Sequence, residues 1–276
     1  MRVCLITDRP DHPVLAAALL LLAEDHAVEV RDPAPRARAE AGVDVGGSAP
    51  DVIYLLKAHD THALGLAAQL EALGARLINP RAATEACCDR RELAGTLSAS
   101  RLPVPTTRWA PTLTHLLSEG RLDVPFPWIV KSRWSRRDDL LVRIDRRAQL
   151  EALVATWGDE PVVVQEFVAN DGLDLKLWMV GDEIFAARRR TPLEGAGRET
   201  TVPLRPEELD PRWLAMARRV GVAFGLTIYG VDVVATSRGP VIVDVNAFPG
   251  CQGMAGAPEA IARLVRAETT TLEASR

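Results

Sequence analysis

The stretch that most constrains this sequence runs from Tyr229 to Gly253, where two segments rich in Val and Ile flank Ser237-Arg238-Gly239-Pro240. Apolar segments on either side of a Gly-Pro turn signal predict a β-hairpin. One arm carries Asp232, and the other carries Asp244 and, two residues later, Asn246. Because side chains alternate across a strand, Asp244 and Asn246 point to the same face, and Asp232 can lie beside them on the neighbouring strand.

Three oxygen donors on apolar strands have two interpretations. Asp and Asn are common at strand ends as turn formers, which would make them structural. An unpaired carboxylate on an apolar strand is costly, however, and hard oxygen donors suit Mg²⁺ held together with substrate phosphates. We therefore predict a metal site at Asp232, Asp244 and Asn246. The Phe-Pro-Gly that follows ends the strand and leaves Gly250 and Gly253 in a loop, where their backbone can approach a substrate closely.

These residues carry a resemblance to a known family. Asp232 followed by Asp244-Val-Asn246-Ala-Phe-Pro-Gly250 resembles the metal-binding end of the ATP-grasp superfamily. The motif is most similar to that of the ATP-grasp inositol polyphosphate kinases, and then to that of the ribosomal-protein glutamate ligases. The resemblance implies ATP as substrate, two Mg²⁺ ions with Mn²⁺ as an alternative metal, and phosphoryl transfer to a substrate oxygen.

The composition limits the classes of protein to which this chain can belong. The chain has 276 residues, of which 47% are hydrophobic and 25% charged, the profile of an ordinary globular protein. The net charge of −4 argues against non-specific nucleic-acid binding. The longest apolar run, Val14–Ala23, is too short to span a bilayer, and the four cysteines have no zinc-like spacing. We expect a cytoplasmic protein that acts on a small-molecule or peptide substrate, without nucleic acid or membrane, and a homodimer stays open.

The order of predicted elements indicates the fold class. Strand, helix and strand alternate over the first eighty residues, which predicts a parallel α/β unit without a glycine-rich dinucleotide fingerprint. Helices are predicted over 82–99, 205–224 and 257–272. The resemblance implies an α/β and α+β ATP-grasp fold with three lobes. These are a substrate lobe at 1–85, a central lid lobe at 86–164, and a lobe with the metal site at 165–276.

Two cations match positions that hold ATP phosphates in the family. Lys131 ends an apolar strand predicted from Phe126, and a cation at the end of a buried strand needs a partner such as phosphate. Arg90 follows Asp89 where many family members have Asp-Lys, and it keeps the positive charge.

The segment after Lys131 departs from the family pattern. Ligases of the family place a glycine-rich loop here, but the segment 132–139 contains no glycine. Its three arginines, Arg133, Arg136 and Arg137, have two interpretations. They contact phosphate by their side chains, or they form a solvated turn paired with Asp138 and Asp139.

A run of five residues, Val-Gln165-Glu166-Phe167-Val168, resembles the hinge between the lobes that grip ATP. The resemblance implies that Gln165 lies at the nucleotide and that the backbone of Glu166, Phe167 and Val168 contacts adenine. A nearby acidic residue, Asp171 or Asp174, is the candidate for the ribose hydroxyls.

The remaining candidates lie on a predicted hairpin and at one strand end. Gly181-Asp182 is a tight-turn signal, and on its two arms the resemblance makes Lys176 and Arg190 catalytic. By alternation, Arg188 shares the face of Arg190 and is a candidate substrate contact, although a solvated arginine run is the alternative. Lys57 ends the third predicted strand, where ligands bind in parallel sheets, and is a further substrate candidate or a solvated loop lysine.

The sequence therefore predicts a Mg·ATP-dependent carboxylate–amine ligase that acts through an acylphosphate. A kinase of the inositol polyphosphate or polyol type is the alternative, because the metal motif and the Asp89-Arg90 pair favour it. A non-catalytic nucleotide-binding protein is the second alternative, which the glycine-free loop permits.

Overall fold

The computed structural model describes residues 1–34, 51–119, 123–136, 138–170, 172–190 and 201–274. The strands are β1 (Arg2–Ile6), β2 (Ala27–Arg31), β3 (Val52–Leu56), β4 (Arg76–Ile78), β5 (Thr107–Ala110), β6 (Trp128–Ser132), β7 (Leu141–Ile144), β8 (Val162–Glu166), β9 (Leu173–Val180), β10 (Glu183–Arg190), β11 (Val202–Leu204), β12 (Ile228–Thr236) and β13 (Gly239–Ala247). The helices are α1 (Pro13–Leu22), α2 (Thr61–Ala72), α3 (Arg81–Cys88), α4 (Arg90–Ala99), α5 (Leu113–Glu119), α6 (Arg147–Trp157), α7 (Pro211–Phe224) and α8 (Ala257–Ala274). In none of these ranges is a helix both long and apolar enough to cross a bilayer.

The amino-terminal sheet is parallel, in the order β2-β1-β3-β4. Because both of its faces are covered, β3 reads as a continuous apolar run and is buried throughout. One face packs on α2 through residues such as Leu70. The other face packs on α1 and on α8, where Leu15 and Ile261 share one core. The predicted α/β unit is present, and the carboxyl-terminal helix of the chain helps to cover it.

The second sheet is antiparallel, in the order β5-β8-β6-β7. Val130 of β6 and Val162 and Val164 of β8 point to one face, where they pack with Leu113 of α5 and Leu150 of α6. By alternation, the other face of β6 and β8 presents Ile129, Lys131 and Gln165. That face is directed towards the third sheet.

The third sheet is antiparallel, in the order β11-β10-β9-β12-β13. Its back face carries apolar residues such as Leu177 and Val231, which pack on α3, α4 and α7. Its front face has one end that packs in a core and one end that is polar. Trp178 at one end packs in the core shared with α1 and α8. The other end carries polar residues and faces the second sheet.

The structure corrects several details of the predicted elements. The helix predicted over 82–99 is broken at Asp89, whose side chain accepts a hydrogen bond from Arg91 N and caps α4. The helix predicted from residue 205 begins at Pro211, with only a single 3-10 turn at Pro206–Glu208 before it. The strand β11 and the helix α5 were not predicted. Since α3 and α4 pack on the third sheet, the predicted lobe boundary at residue 86 does not follow the packing.

Candidate active site

The front face of the third sheet brings the predicted metal ligands together. Asp232 on β12 is directly opposite Asp244 on β13 and Lys176 on β9. Asn246 is opposite Gly230 and, by alternation, shares the face of Asp244. Thr236 pairs with Gly239 across the turn at Ser237-Arg238, and a one-residue shift in register between Val233 and Asp232 then places Asp244 opposite Asp232.

The charges around Asp232 are arranged as a small network. Lys176 Nζ lies 3.0 Å from Asp232 Oδ1, and Arg189 Nη2 lies 3.0 Å from Oδ2. Asp232 Oδ1 is nevertheless buried without a hydrogen bond, because the lysine approaches it outside hydrogen-bond geometry. Like charges directly opposite each other on a sheet are destabilising, so the pair formed with Asp244 favours a bound cation.

The donor chemistry agrees with Mg²⁺, which prefers carboxylate and amide oxygens. Among the described residues, no three His, Cys, Asp or Glu side chains cluster as a metal site. The predicted set contains two carboxylates and the amide of Asn246, so it leaves coordination positions for water or phosphate. Asp232, Asp244 and Asn246 therefore fit Mg²⁺ held jointly with a nucleotide.

Lys131 faces this network from the second sheet. Its buried ammonium donates one hydrogen bond, 2.9 Å long, to the carbonyl oxygen of Val243. That carbonyl is accessible because β13 has an irregular register here, so that Val243 is the extra residue between the partners of Asp232 and Val233. Burial lowers the pKa of Lys131, and the nearby carboxylate of Asp244 opposes this shift. A buried ammonium with unused donors is suited to binding an anion.

A central cleft lies between the two sheets and is lined by residues of both. Eight of the residues predicted for nucleotide and metal line it. They are Lys131, Gln165, Glu166, Phe167, Val168, Asp174, Asp232 and Asp244. Ile129, Leu141 and Val234 add an apolar surface, which suits a flat ring. The cleft therefore combines an apolar wall with charged groups at one end.

Fewer backbone amides of the hinge are free to bind adenine than the sequence suggested. Glu166 N donates to Thr106 O and Phe167 N donates to Pro127 O, each over 3.0 Å. Val168 N has no hydrogen-bond partner in the part of the chain that the structure describes. Of the three predicted hinge amides, Val168 is therefore the one available to a base edge. The other ribose candidate, Asp171, lies outside the described residues.

The three arginines at the end of β10 require a correction. Arg189 is opposite Asp174 and points to the front face, where it meets Asp232. Arg188 and Arg190 are opposite Leu175 and Leu173, so they point to the back face. Arg188 lines a separate cleft there with Trp213. The prediction that Arg190 and Arg188 face the site is wrong by one residue, and Arg189 is the arginine that the site contains.

Arg90 does not line the central cleft. Its guanidinium donates to Ser132 O over 2.8 Å and to Asp139 over 2.6 Å, and both side chains are largely buried. Arg133 forms a bidentate pair with Asp89. Asp89 is buried, which would raise its pKa, but the hydrogen bonds from Arg133 hold the pKa below its usual value.

The rest of the glycine-free loop is also occupied by ion pairs. Arg136 pairs with Glu160 through two hydrogen bonds of 2.7 and 2.8 Å. The interpretation of the loop as an ion-paired turn therefore holds for Arg133 and Arg136, although their partners are Asp89 and Glu160. Arg137, the third predicted arginine, lies outside the described residues.

The remaining predicted residues lie elsewhere. Lys57 and Gly250 line a second cleft at the amino-terminal sheet, while Gly253 lines neither cleft. Cys251, which lies between Gly250 and Gly253 in the sequence, is buried, and burial raises the pKa of its thiol to about 12. This thiol is therefore unreactive at neutral pH and packs as a small apolar residue.

Sequence reasoning missed Arg189, the Val243 carbonyl and Asn170, which also lines the central cleft. The signal for Arg189 was present, because a two-residue turn at Gly181-Asp182 pairs Val180 with Glu183 and so pairs Asp174 with Arg189. The irregular register at Val243 has no comparable signal in the sequence.

The chain is similar in sequence to proteins of one known family. Residues 102–262 match the family model described as a RimK-like ATP-grasp domain. A probable alpha-L-glutamate ligase of Xanthomonas oryzae pv. oryzae is 29% identical over 199 residues, which cover 68% of this chain and 66% of the relative. A probable alpha-L-glutamate ligase of Thioalkalivibrio sulfidiphilus is 28% identical over 195 residues, covering 67% of this chain and 64% of that protein. The chain thus spans about two thirds of the length of these curated relatives.

Solved structures share the whole fold. The RimK domain ATP-grasp protein of Sphaerobacter thermophilus superimposes with a TM-score of 0.76 at 23% identity, over 96% of this chain and 99% of that one. D-cycloserine synthetase DcsG gives a TM-score of 0.72 at 18% identity, over 98% of this chain and 100% of that one. These likenesses, at low identity, show the fold. The predicted ATP-grasp fold is confirmed.

Proposed function

Because this chain belongs to the RimK-like ATP-grasp family, we propose that it joins a carboxylate to an amine at the expense of ATP, through an acylphosphate. The observation that supports this most is the row of Lys176, Asp232 and Asp244 across the front face, with Lys131 facing it. Cations and paired carboxylates at one end of a partly apolar cleft suit a triphosphate, whose base occupies the other end.

In this proposal, Asp232, Asp244 and Asn246 would hold two Mg²⁺ ions, and Mn²⁺ could replace them. When bound, Mg²⁺ neutralises charge on the phosphates as the phosphoryl group moves. Lys131 is the phosphate-binding cation, since its ammonium is buried and has spare donors. The ions and Lys131 together would fix the triphosphate beside the acceptor.

The hinge and its neighbours hold the nucleoside. Val168 N–H is the donor to the adenine edge, because the amides of Glu166 and Phe167 are already hydrogen-bonded. Asp174, at the beginning of β9, is the candidate for the ribose hydroxyls. Arg90 contacts a phosphate only if its pairing with Asp139 is exchanged for the nucleotide.

The reaction has two steps. A carboxylate oxygen of the first substrate attacks the γ-phosphorus, the bond to the oxygen of ADP breaks, and an acylphosphate forms. The amine nitrogen of the second substrate then attacks the acyl carbon, inorganic phosphate leaves, and the nitrogen loses a proton. Lys176 and Arg189 stabilise the developing negative charge by electrostatics, and Arg189 takes the role predicted for Arg190.

Small molecules and peptides are both suitable acceptors in this proposal. The solved structure of the ATP-grasp ligase PsnB contains a precursor, Mg and ADP, and that of the macrocyclase MdnC contains a precursor peptide. The acceptor of this chain, and a homodimer, stay predictions.

Hydroxylamine tests the ligase, because it traps an acylphosphate as a hydroxamate. Purified protein is incubated with Mg·ATP, hydroxylamine and single members of a panel of carboxylic acids and peptides. We expect hydroxamate and ADP in equal amounts with the correct acid, and neither with Asp244→Asn. Arg188→Ala, on the back face, is the matched control and should retain the activity. A phosphorylated polyol without any hydroxamate would favour the kinase instead, and nucleotide binding without ADP release would favour the non-catalytic alternative.

A further inference from the structure

Gln165 places a buried amide at the wall of the central cleft. It lies near the end of β8, opposite Thr107 on β5 and Ile129 on β6. Only 7% of the residue is exposed, and it lines the cleft. A buried amide costs free energy unless its nitrogen and its oxygen both find partners. The direction in which this amide faces therefore affects what the cleft can bind.

The amide contacts a hydroxyl group on the neighbouring strand. Nε2 of Gln165 lies 3.2 Å from Oγ1 of Thr107. That hydroxyl oxygen lies in turn 2.9 Å from the carbonyl oxygen of Pro105. Because the nitrogen and the oxygen of a side-chain amide have nearly the same shape, the hydrogen-bond partners decide which of the two atoms faces Thr107.

The hydroxyl of Thr107 has a single proton, and Pro105 determines where it goes. The Pro105 carbonyl oxygen can only accept, and two oxygens 2.9 Å apart need a proton between them. Thr107 therefore donates to Pro105 and can only accept from Gln165, which requires the amide nitrogen at that position. Reversing these roles would leave the Pro105 carbonyl unpaired, since no other described residue donates a hydrogen bond to it.

The oxygen of the Gln165 amide is left for the cleft. Oε1 lies on the side of the amide away from Thr107, and none of the described residues donates a hydrogen bond to it. The wall of the cleft thus offers this acceptor together with the free N–H of Val168. A base with a 6-amino group can donate to Oε1, whereas a 6-oxo base would set a second acceptor against it.

We propose that Thr107 is a positioning residue that makes the nucleotide site selective for a 6-amino purine over a 6-oxo purine. It holds the nitrogen of the Gln165 amide and so keeps the oxygen towards the base. This inference rests on the proposed use of ATP and extends it, because Thr107 does not itself line the central cleft. An apolar residue in its place would free the amide to turn over, and Nε2 would then donate to a 6-oxo group.

Inosine triphosphate is the probe for this proposal, because its base has a 6-oxo group in place of the 6-amino group of ATP. It also lacks the 2-amino group of GTP, whose bulk would obscure the comparison. Titration calorimetry of the full chain with each nucleotide and Mg²⁺, without an acceptor substrate, gives two dissociation constants. We expect ATP to bind about 100-fold more tightly, since a hydrogen bond to a buried acceptor is replaced by an unpaired acceptor.

Thr107→Val keeps the branched shape of the side chain and removes the hydroxyl. We expect it to lower the preference for ATP about ten-fold or more, mainly because inosine triphosphate binds more tightly. Thr107→Ser keeps the hydroxyl, and its preference should stay within about two-fold of the parental value. General damage to the fold would weaken the binding of both nucleotides alike, so it would leave the preference unchanged.

Thr106→Val is the matched control, because Thr106 is the preceding residue and its side chain is exposed. Its preference for ATP should equal that of the parent. An unchanged preference in Thr107→Val, or an equal loss in Thr107→Ser or Thr106→Val, overturns the role of the Thr107 hydroxyl. A parent that binds both nucleotides equally overturns the selective site. A parent that binds neither nucleotide contradicts the proposed function itself, so the two failures are distinguishable.

Discussion

Two neighbouring arginines on β10 face opposite sides of one sheet and meet opposite surroundings. Arg189, on the front face, contacts the buried carboxylate of Asp232, within a network that also contains Lys176. Arg188, on the back face, lies beside a surface covered by α7. The front face collects charges whose neighbours do not fully satisfy them, whereas the back face is packed with apolar side chains.

The difference indicates that one face of this sheet serves ligand binding and the other serves stability. Unsatisfied charge reduces stability, and it is retained where a ligand will supply the missing partner. Apolar packing has the reverse effect, since it stabilises the fold and contributes no reacting group. We therefore expect front-face substitutions to affect turnover and back-face substitutions to affect the free energy of unfolding.

The largest effect is expected from Asp244→Asn. The change keeps the size of the side chain but removes one negative charge from the metal set, and Mg²⁺ relies on carboxylate charge to displace water. Turnover should fall on the order of 1000-fold or more. The melting temperature without nucleotide should stay near the parental value, because the residue is only partly buried. Hydroxamate formation and differential scanning calorimetry measure the two quantities, and full activity at limiting Mg²⁺ would remove the metal site from this hairpin.

The second prediction compares the two arginines directly. Arg189→Ala removes a cation from the site and should lower turnover by about 100-fold. Arg188→Ala changes a residue of the same strand and type, and its turnover should stay within about two-fold of the parent. Steady-state rates of the two variants decide the matter. A greater loss from Arg188→Ala than from Arg189→Ala would reverse the assignment of the two faces.

This pair of arginines also shows how far the sequence could lead. The hairpin was predictable from its turn signal and apolar alternation, and Lys131 from its place at the end of an apolar strand, whereas the hinge was predicted from the family resemblance. The pairing of Asp232 with Asp244 also requires a shift in register that the turn signal does not give. Arg190 was predicted from a family likeness, although the register from the Gly181-Asp182 turn would have favoured Arg189. The family likeness selected an arginine on the back face, whereas the register set by this turn places Arg189 on the front face.

Other features depend on tertiary contacts that a linear pattern does not contain. The break between α3 and α4 occurs because Asp89 caps one helix and pairs with Arg133, forty-four residues away. The exposure of the Val243 carbonyl to Lys131 depends on a local irregularity in the pairing of β12 with β13. The edge strand β11 is only three residues long and contains proline, so its sequence indicates a loop as much as a strand.

The third prediction concerns the back face. Gly221 on α7 lies against the buried ring of Tyr229, and an added Cβ would be 2.3 Å from its hydroxyl oxygen. Gly221→Ala should lower the free energy of unfolding by about 1–3 kcal/mol through overpacking. Turnover, measured well below the melting temperature, should be unchanged.

Gly65→Ala is the matched control for this change. Gly65 also lies in a helix, α2, but an added Cβ there has no neighbour within 4 Å. Its replacement should stabilise the protein by about 0.5–1 kcal/mol, because alanine favours helix. Urea unfolding measures both variants, and a stabilised Gly221→Ala protein would show that the back face is loosely packed.

The smallest effect, a pH-dependent one, tests whether the buried charge of Lys131, which faces the front face from the second sheet, reduces stability. Burial lowers the pKa of Lys131 in the folded state, while the unfolded lysine keeps a pKa of about 10.4. At pH values between the two, the unfolded state binds more protons than the folded state, so the free energy of unfolding rises with pH. At pH values below the lowered pKa the lysine is charged in both states, and its burial destabilises the fold. Lys131→Met should therefore make the nucleotide-free protein more stable at pH 7, and this advantage should shrink as the pH approaches 10.4.

The free energy of unfolding should change by about 1.4 kcal/mol for each pH unit by which the pKa of Lys131 is lowered. Urea unfolding of the two proteins at a series of pH values, with EDTA present, gives the difference and cancels the titration of Lys57 and the cysteines, which both proteins share. A constant difference across this range would mean that the charge of Lys131 is already compensated by Asp244 and Asp232, and that it does not require a nucleotide to compensate it.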